Sequence, residues 1–455
     1  MLAPGSKRLR DLDPHVALGG SVTVVLLAEY AAVKQGSAAW VVVGAAASFA
    51  AFFVAWRAQE RLRLVPILVL SLAFQLAWIA LHLHLGVSSI DSAVLYRRWG
   101  NSLLHGHYPD AQYPPAAVLL FAFDALLGGG PTRTSHAFVM IPFELVTVAA
   151  VWALRTRRSA WLAALVALWP LNAFSWEFRF DLLPTALLAL GLLFAVRERW
   201  ALSGALLGLG AAAKWTPALA VVLLAVWLAA GGRRRAARAH VLAFGLVFAG
   251  LHLPFLVWSA HHTLYSYRYF NGQGVTGESI WYLVLAPLGR ASVPLHAFYL
   301  PAAVPGWAKP ITVAAQAVVL LALGFAAWRV RTSLRAGVAV AAMAPVLFLL
   351  LNRVFSPQYL VLMLVAWAVA GALLLDGRTE QLVLGVAIMA ATTANALVYP
   401  HTLFQANLWR AASAALFLVS LATTAWIVAR AVQLAGARIS PGTAPATSPV
   451  PTRAR

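Results

Sequence analysis

Long apolar runs broken by short basic turns repeat along almost the whole chain. A run of about 20 apolar residues matches the hydrocarbon thickness of a bilayer when it is wound as a helix. The pattern predicts spans over roughly 16–33, 37–56, 64–86, 136–154, 159–176, 182–196, 201–213, 217–231, 239–258, 308–328, 335–351, 357–375, 381–400 and 409–430. No alternating strand pattern competes with them. The reading is an all-α polytopic membrane protein of about 14 transmembrane helices.

The basic residues test this division, because cytoplasmic loops collect Lys and Arg. With the N-terminus inside, every second turn is basic: Lys7, Arg8 and Arg10; Arg57, Arg61 and Arg63; Arg155, Arg157 and Arg158; Arg197 and Arg199; Arg233, Arg234, Arg235 and Arg238; Arg329, Arg331 and Arg335; Arg378; and the C-terminal arginines. The alternation holds only if Pro114 to Gly130 does not span, so that stretch is expected as an interfacial or re-entrant element. The two longest outer segments are then 87–135 and 259–307, both rich in Tyr, Trp, His, Gly and Pro. The first helix follows a basic N-terminus without a clear cleavage site and is read as uncleaved. The tail from Ala437 is rich in Pro, Thr, Ser and Ala and is expected to be disordered.

Composition narrows the function. Of 455 residues, 62% are hydrophobic and 11% charged, well under the roughly 25% charge of a soluble domain. The net charge of +20 fits the topology signal, so nucleic acid is not an expected partner. There is no cysteine, which leaves oxygen and nitrogen groups to do any chemistry.

Carboxylates are scarce, and those expected on the outer side are Asp91, Asp110, Asp124, Glu177, Asp181 and Glu278. Asp91 follows an early span at the membrane boundary, where a partly desolvated carboxylate can act as a general base towards a hydroxyl, or can serve as a helix cap. A helix starting there puts Leu95 and Trp99 on one stripe, with Arg97 and Arg98 on other faces. His105, His107 and Asp110 lack the spacing of a metal site. In Trp176-Glu177-Phe178-Arg179-Phe180-Asp181, charges alternate with aromatics. Lys214 stands at a helix break in Ala213-Lys214-Trp215-Thr216-Pro217, where an ammonium needs an anionic partner unless it snorkels to the surface. At Asn352-Arg353-Val354-Phe355-Ser356-Pro357-Gln358-Tyr359, Arg353 can clamp a phosphate while Gln358 and Tyr359 meet sugar hydroxyls. Glu29 and Glu144 lie inside spans, as ion-coupled transporters require.

These motifs, in this order, resemble the membrane-embedded glycosyltransferases of the C superfamily, and among them glycosyltransferase family 87. The likeness runs over roughly 64–375: Asp91 after an early span, Tyr96 to Gly106 leading into Tyr113-Pro114-Pro115, Arg179-Phe180-Asp181-Leu182-Leu183-Pro184, Lys214-Trp215-Thr216-Pro217 and Phe355-Ser356-Pro357-Gln358-Tyr359. It implies a glycosyltransferase C-type fold with juxtamembrane helices in the first outer loop. Residues 1–63 would be additional N-terminal helices, 64–430 the catalytic core and 431–455 a cytoplasmic tail. It also implies inverting transfer of a sugar, mannose by family, from a polyprenyl-phosphate donor to a lipid or glycan hydroxyl on the outer face of the cell membrane, with both termini cytoplasmic.

Under this resemblance Asp91 is the catalytic base, and Lys214, Arg353 or Arg268 neutralises the departing phosphate. Tyr96, Arg98, Tyr113, Arg179, Asp181, Gln358 and Tyr359 would bind sugar or acceptor. Ser92 stands where the superfamily often has a second acid, so neither metal nor cofactor is expected. The competing reading, a transporter or flippase, calls for polar residues through the spans and two related halves; here polar groups crowd one side.

Overall fold

The computed structural model describes residues 13–35, 39–87, 91–128, 133–154, 159–169, 179–292, 302–398 and 406–437. Glu177, the Arg155, Arg157 and Arg158 turn, the basic N-terminus and the tail beyond 437 lie outside these residues. The described chain is helical, with one isolated antiparallel bridge between Val275 and Ala302.

In chain order the helices are α1 (Pro14–Gln35), α2 (Ala39–Arg57), α3 (Leu64–Leu85), a π-helical turn at Asp91–Tyr96, α4 (Arg97–Leu104), α5 (Pro115–Leu127), α6 (Arg133–Trp152), α7 (Ser159–Leu168), α8 (Leu182–Val196) and α9 (Trp200–Ala213). There follow α10 (Ala218–Ala230), α11 (Arg234–Gly272), α12 (Ile280–Leu285), α13 (Ala308–Arg329), α14 (Leu334–Leu350), α15 (Tyr359–Leu374), α16 (Arg378–Val398) and α17 (Ala406–Ala437).

Six of these are long and apolar enough to cross a membrane: Pro14–Gln35, Leu64–Leu85, Thr134–Trp152, Arg234–Gly272, Ala308–Arg329 and Arg410–Gly436. The expected count of about fourteen is therefore not reached by length. At about 1.5 Å per residue, the 13 to 17 residues of α8, α9, α10, α14 and α15 fall short of a roughly 30 Å core. Packing explains the shortness: every residue of α15 is buried, and α14, α8, α7, α17, α16 and α6 surround it. Helix α15 faces protein on all sides, so the lipid-facing length rule does not govern it.

Helix α11 corrects a second expectation. Its predicted end at 258 is only a kink at Ser259, five residues after Pro254, and helix continues through the aromatic stretch to Gly272. Nothing between Ser259 and Gly272 breaks a helix, since Gly and Pro are absent from 255–271. Helix α5 has 13 residues and packs against α4, α6, α9 and α11. At the other end of the chain α17 runs seven residues past the expected boundary at 430.

Close helix contacts rest on glycine. Gly204 and Gly208, one turn apart on α9, put the backbone against the His240 and Phe244 carbonyls of α11, leaving no room for a side chain. Gly100 of α4 meets the Phe121 carbonyl of α5 in the same way. The basic turns gather at one end of the bundle: Arg233 lies 3.8 Å from Glu198, and the Trp227 indole donates to the Val330 carbonyl at 3.1 Å. The start of α8 and the turns α9–α10 and α14–α15 carry Asp181, Lys214, Arg353 and Tyr359 to the opposite end.

Candidate active site

At that opposite end, two ion pairs form a short chain of charge. The Arg179 guanidinium pairs with the Asp91 carboxylate, and the Lys214 ammonium donates to Asp181. Arg179 and Asp181 flank Phe180, so one tripeptide at the start of α8 joins the residue after α3 to the break between α9 and α10. The break is built by sequence: Lys214 is extended at the end of α9, and Pro217 precedes α10. Burial lowers the pKa of Lys214, against the opposing pull of Asp181. Its Nζ lies 4.3 Å from the Tyr359 ring centroid and 5.7 Å from that of Phe180, two cation–π contacts that further hold the charge. Of the four paired side chains, Asp91 is the most exposed, at 19%.

Lys214 also opens onto a cavity of about 300 Å³. Tyr113, Trp215, Asn271, Arg353 and Tyr359 are among its walls. Arg353, in the cavity wall, also donates to backbone, with Nη1 on the Gln273 carbonyl at 2.7 Å and Nη2 on that of Asn271 at 3.4 Å. The loop after α11 is thereby strapped to the α14–α15 turn, and Thr276 adds bonds to the Arg353 and Phe355 backbone at 3.1 Å. This docking brings in Glu278, which sequence reasoning had named as an outer acid without giving it a role. Glu278 is buried, and burial raises its pKa well above the usual carboxylate range, with Arg179 pulling the other way. Its position just before the Ser279 cap of α12 reads in sequence as an ordinary helix-start acid.

The remaining predicted residues fall in three places. Tyr113 lines the cavity, and burial raises its pKa. Tyr96 is fully buried, stacked on Phe121 with centroids 4.2 Å apart and packed edge-on to Phe180 at 5.8 Å, so it supports Arg179 and Asp181 from behind. Gln358 is buried in the turn, accepting from the Ser356 hydroxyl. Arg98 and Arg268 are exposed, and neither lines the cavity. Leu95 is half-buried and Trp99 buried, with Arg97 and Arg98 outward, as the stripe predicts. Asp124 is paired instead with His136 at 2.9 Å, and Asp110 lies 3.6 Å from His262. Among the described residues, no three His, Asp or Glu side chains converge as metal ligands would.

A paired carboxylate beside a cationic, aromatic-walled cavity can accept a proton from a hydroxyl and oppose negative charge on a leaving group. Comparison with known proteins bears on this. The sequence model of glycosyltransferase family 87 matches residues 111–357, more than half of the chain. Tyr113, Arg179, Asp181, Lys214, Arg268 and Arg353 fall inside the match, while Asp91, Tyr96, Arg98, Gln358 and Tyr359 flank it. No curated protein matches the chain.

Proposed function

The chain belongs to glycosyltransferase family 87 and is a membrane glycosyltransferase; from that premise we propose that it moves a sugar, mannose in the first instance, from a polyprenyl-phosphate donor to a lipid or glycan hydroxyl on the outer face of the cell membrane. The observation that carries this reading is the linked pair of ion pairs, Asp91–Arg179 and Asp181–Lys214, set beside the cavity. Asp91 removes the acceptor's proton, and the acceptor oxygen bonds to the anomeric carbon from the face opposite the phosphate. The bond from that carbon to the phosphate oxygen breaks, and the configuration inverts.

Lys214 shifts part of its interaction from Asp181 to the departing phosphate, so its charge does the work a metal would otherwise do. Arg179 orients Asp91 through their ion pair. Tyr359 and Tyr113 offer ring faces and hydroxyls to the sugar. Arg353 acts here through the loop it straps down, so its loss should disturb the cavity wall before it disturbs phosphate binding.

The test is transfer of radiolabelled mannose from polyprenyl-phosphate mannose to membrane lipids, in vesicles bearing the native protein or Asp91→Asn. Label in a glycolipid with the native protein alone is the expected result. Turnover retained by a folded Asp91→Asn protein would remove Asp91 as the base, and no label with any lipid-phosphate sugar would remove the donor class.

A further inference from the structure

At the end of the bundle opposite the active site, the turn between α10 and α11 meets the turn between α13 and α14. Together they enclose an open pocket of about 460 Å³ lined by Ala230, Gly231, Arg233, Arg331, Thr332 and Leu334. Arg233 is held in place by its neighbours: its guanidinium sits 3.9 Å from the Trp227 ring centroid and 5.9 Å from that of Trp200, with Glu198 at 3.8 Å. Arg331 lies 4.8 Å from the Trp328 ring and donates to the Trp328 carbonyl at 3.3 Å. Both guanidinia are half-buried and both face one pocket, an arrangement that suits a bidentate anion such as a phosphate.

An apolar surface leads away from this pocket. Helix α10 packs its inner side on α14 and is flanked by α11 and α13, and it leaves Val222, Val226 and Ala229 exposed. Those positions, spaced i, i+4 and i+7, form one stripe that ends at the pocket. The flanking helices carry exposed apolar residues beside the same end, Leu242 on α11 and Phe325 on α13, 64% and 62% exposed. A ligand with a phosphate head and hydrocarbon chains satisfies both halves of this surface, whereas a free anion satisfies only the first.

We propose that Arg233 and Arg331 form a binding site for the headgroup of an anionic phospholipid, whose acyl chains lie along the exposed face of α10. The site stands apart from the glycosyl-transfer chemistry and does not depend on it. Two further groups of arginines, Arg234, Arg235 and Arg238 on α11 and Arg329 and Arg335 near the α13–α14 turn, surround the pocket without lining it, and they supply a control of equal charge.

The experiment compares the native full-length protein with R233Q/R331Q and with R234Q/R238Q, each in detergent micelles. Phosphatidylglycerol, phosphatidylcholine or inorganic phosphate is titrated in, with retained lipid read by native mass spectrometry and stability by thermal unfolding. The native protein should retain phosphatidylglycerol over phosphatidylcholine and melt at higher temperature with it. R233Q/R331Q should bind phosphatidylglycerol about thirtyfold more weakly, while R234Q/R238Q stays close to native. The single variant R331Q, which leaves the Trp227 contact intact, should show an intermediate loss and guards against a folding defect in the double variant. Equal losses in the two double variants would mean diffuse surface charge and overturn the site. Equal stabilisation by inorganic phosphate would overturn the lipid as occupant.

Discussion

At the residue scale, the site depends on charges that burial makes expensive unless paired. Asp181 and Lys214 are 3% and 8% exposed. Removing one partner of a buried pair leaves the other uncompensated, at a cost of about 3–5 kcal/mol, whereas replacing both by apolar or neutral groups of similar size is far milder. Asp181→Asn should therefore melt well below the native protein, and Asp181→Asn combined with Lys214→Met should recover most of that loss without recovering transfer. Thermal unfolding in detergent together with the mannose assay separates the two effects. A double variant that regained transfer would show that Lys214 has no role in the chemistry.

Glu278 gives a pH prediction at the same scale. Its folded-state pKa is raised, so the folded protein holds this proton more tightly than the unfolded chain. Stability from this group is then full below the ordinary carboxylate value of 4.5 and is lost as pH rises from there towards the raised value. Glu278→Gln keeps the neutral shape at every pH. The difference in melting temperature between Glu278→Gln and the native protein should thus grow in favour of the variant as pH rises from 4.5 through neutrality. A constant difference across that range would show that Glu278 is not held neutral by burial.

At the scale of elements, the position of the Asp91 segment is set by a helix crossing rather than by Asp91 itself. The π-helical turn from Asp91 runs directly into α4, and α4 is pinned where Gly100 meets the α5 backbone. Gly100→Ala places a methyl group on the Phe121 carbonyl, so α4 must move away from α5, an overpacking cost of about 1–3 kcal/mol. Because Tyr96 stacks on Phe121 and packs on Phe180, the shift passes to both sides of the Asp91–Arg179 pair. Transfer should fall by more than the stability loss alone explains, with kcat reduced in protein that remains folded. An unchanged kcat in folded Gly100→Ala would mean that α4 can move without moving Asp91.

At the scale of the whole molecule, the two ends of the bundle differ in kind. One carries Asp91, Arg179, Asp181, Lys214 and Glu278, of which Lys214 lines the cavity, and the other carries the arginine turns. On the proposed reading, in which cytoplasmic turns collect Lys and Arg, the second end faces the cytoplasm. The native chain has no cysteine, so single cysteines report topology directly. Arg98→Cys, exposed at the site end, should react with a membrane-impermeant maleimide added outside intact cells, and Arg234→Cys, exposed at the other end, should react only after the membrane is opened. Labelling of both from outside would contradict the proposed orientation.

Much of this was legible in the sequence because bilayer insertion writes its requirements locally. Apolar length, helical period and the side chosen by Lys and Arg are properties of neighbouring residues, so the helical class and the gathering of rare polar groups could be read directly. The break at Lys214 was legible too, since an ammonium followed by a proline between two apolar runs does not fit inside one continuous span. Pairing was not. Asp91 and Arg179 meet only because elements far apart in the chain pack side by side, and Asp181 and Lys214 meet where the antiparallel α8–α9 pair brings the start of α8 and the end of α9 together; hydrophobic pattern carries no record of which side chains such packing joins. Glu278 stood only as one outer acid among several, and its burial follows from the loop after α11 docking on the α14–α15 turn. The arginines at 353 and 331 show the same limit: one expected to grip a ligand also straps a loop through two backbone carbonyls, and the other, read as a topology signal, faces a pocket. Sequence by itself determined what the chain could bury and where its charges must surface; tertiary structure alone decided which charges met, because burial makes each one seek whatever partner packing brings within reach.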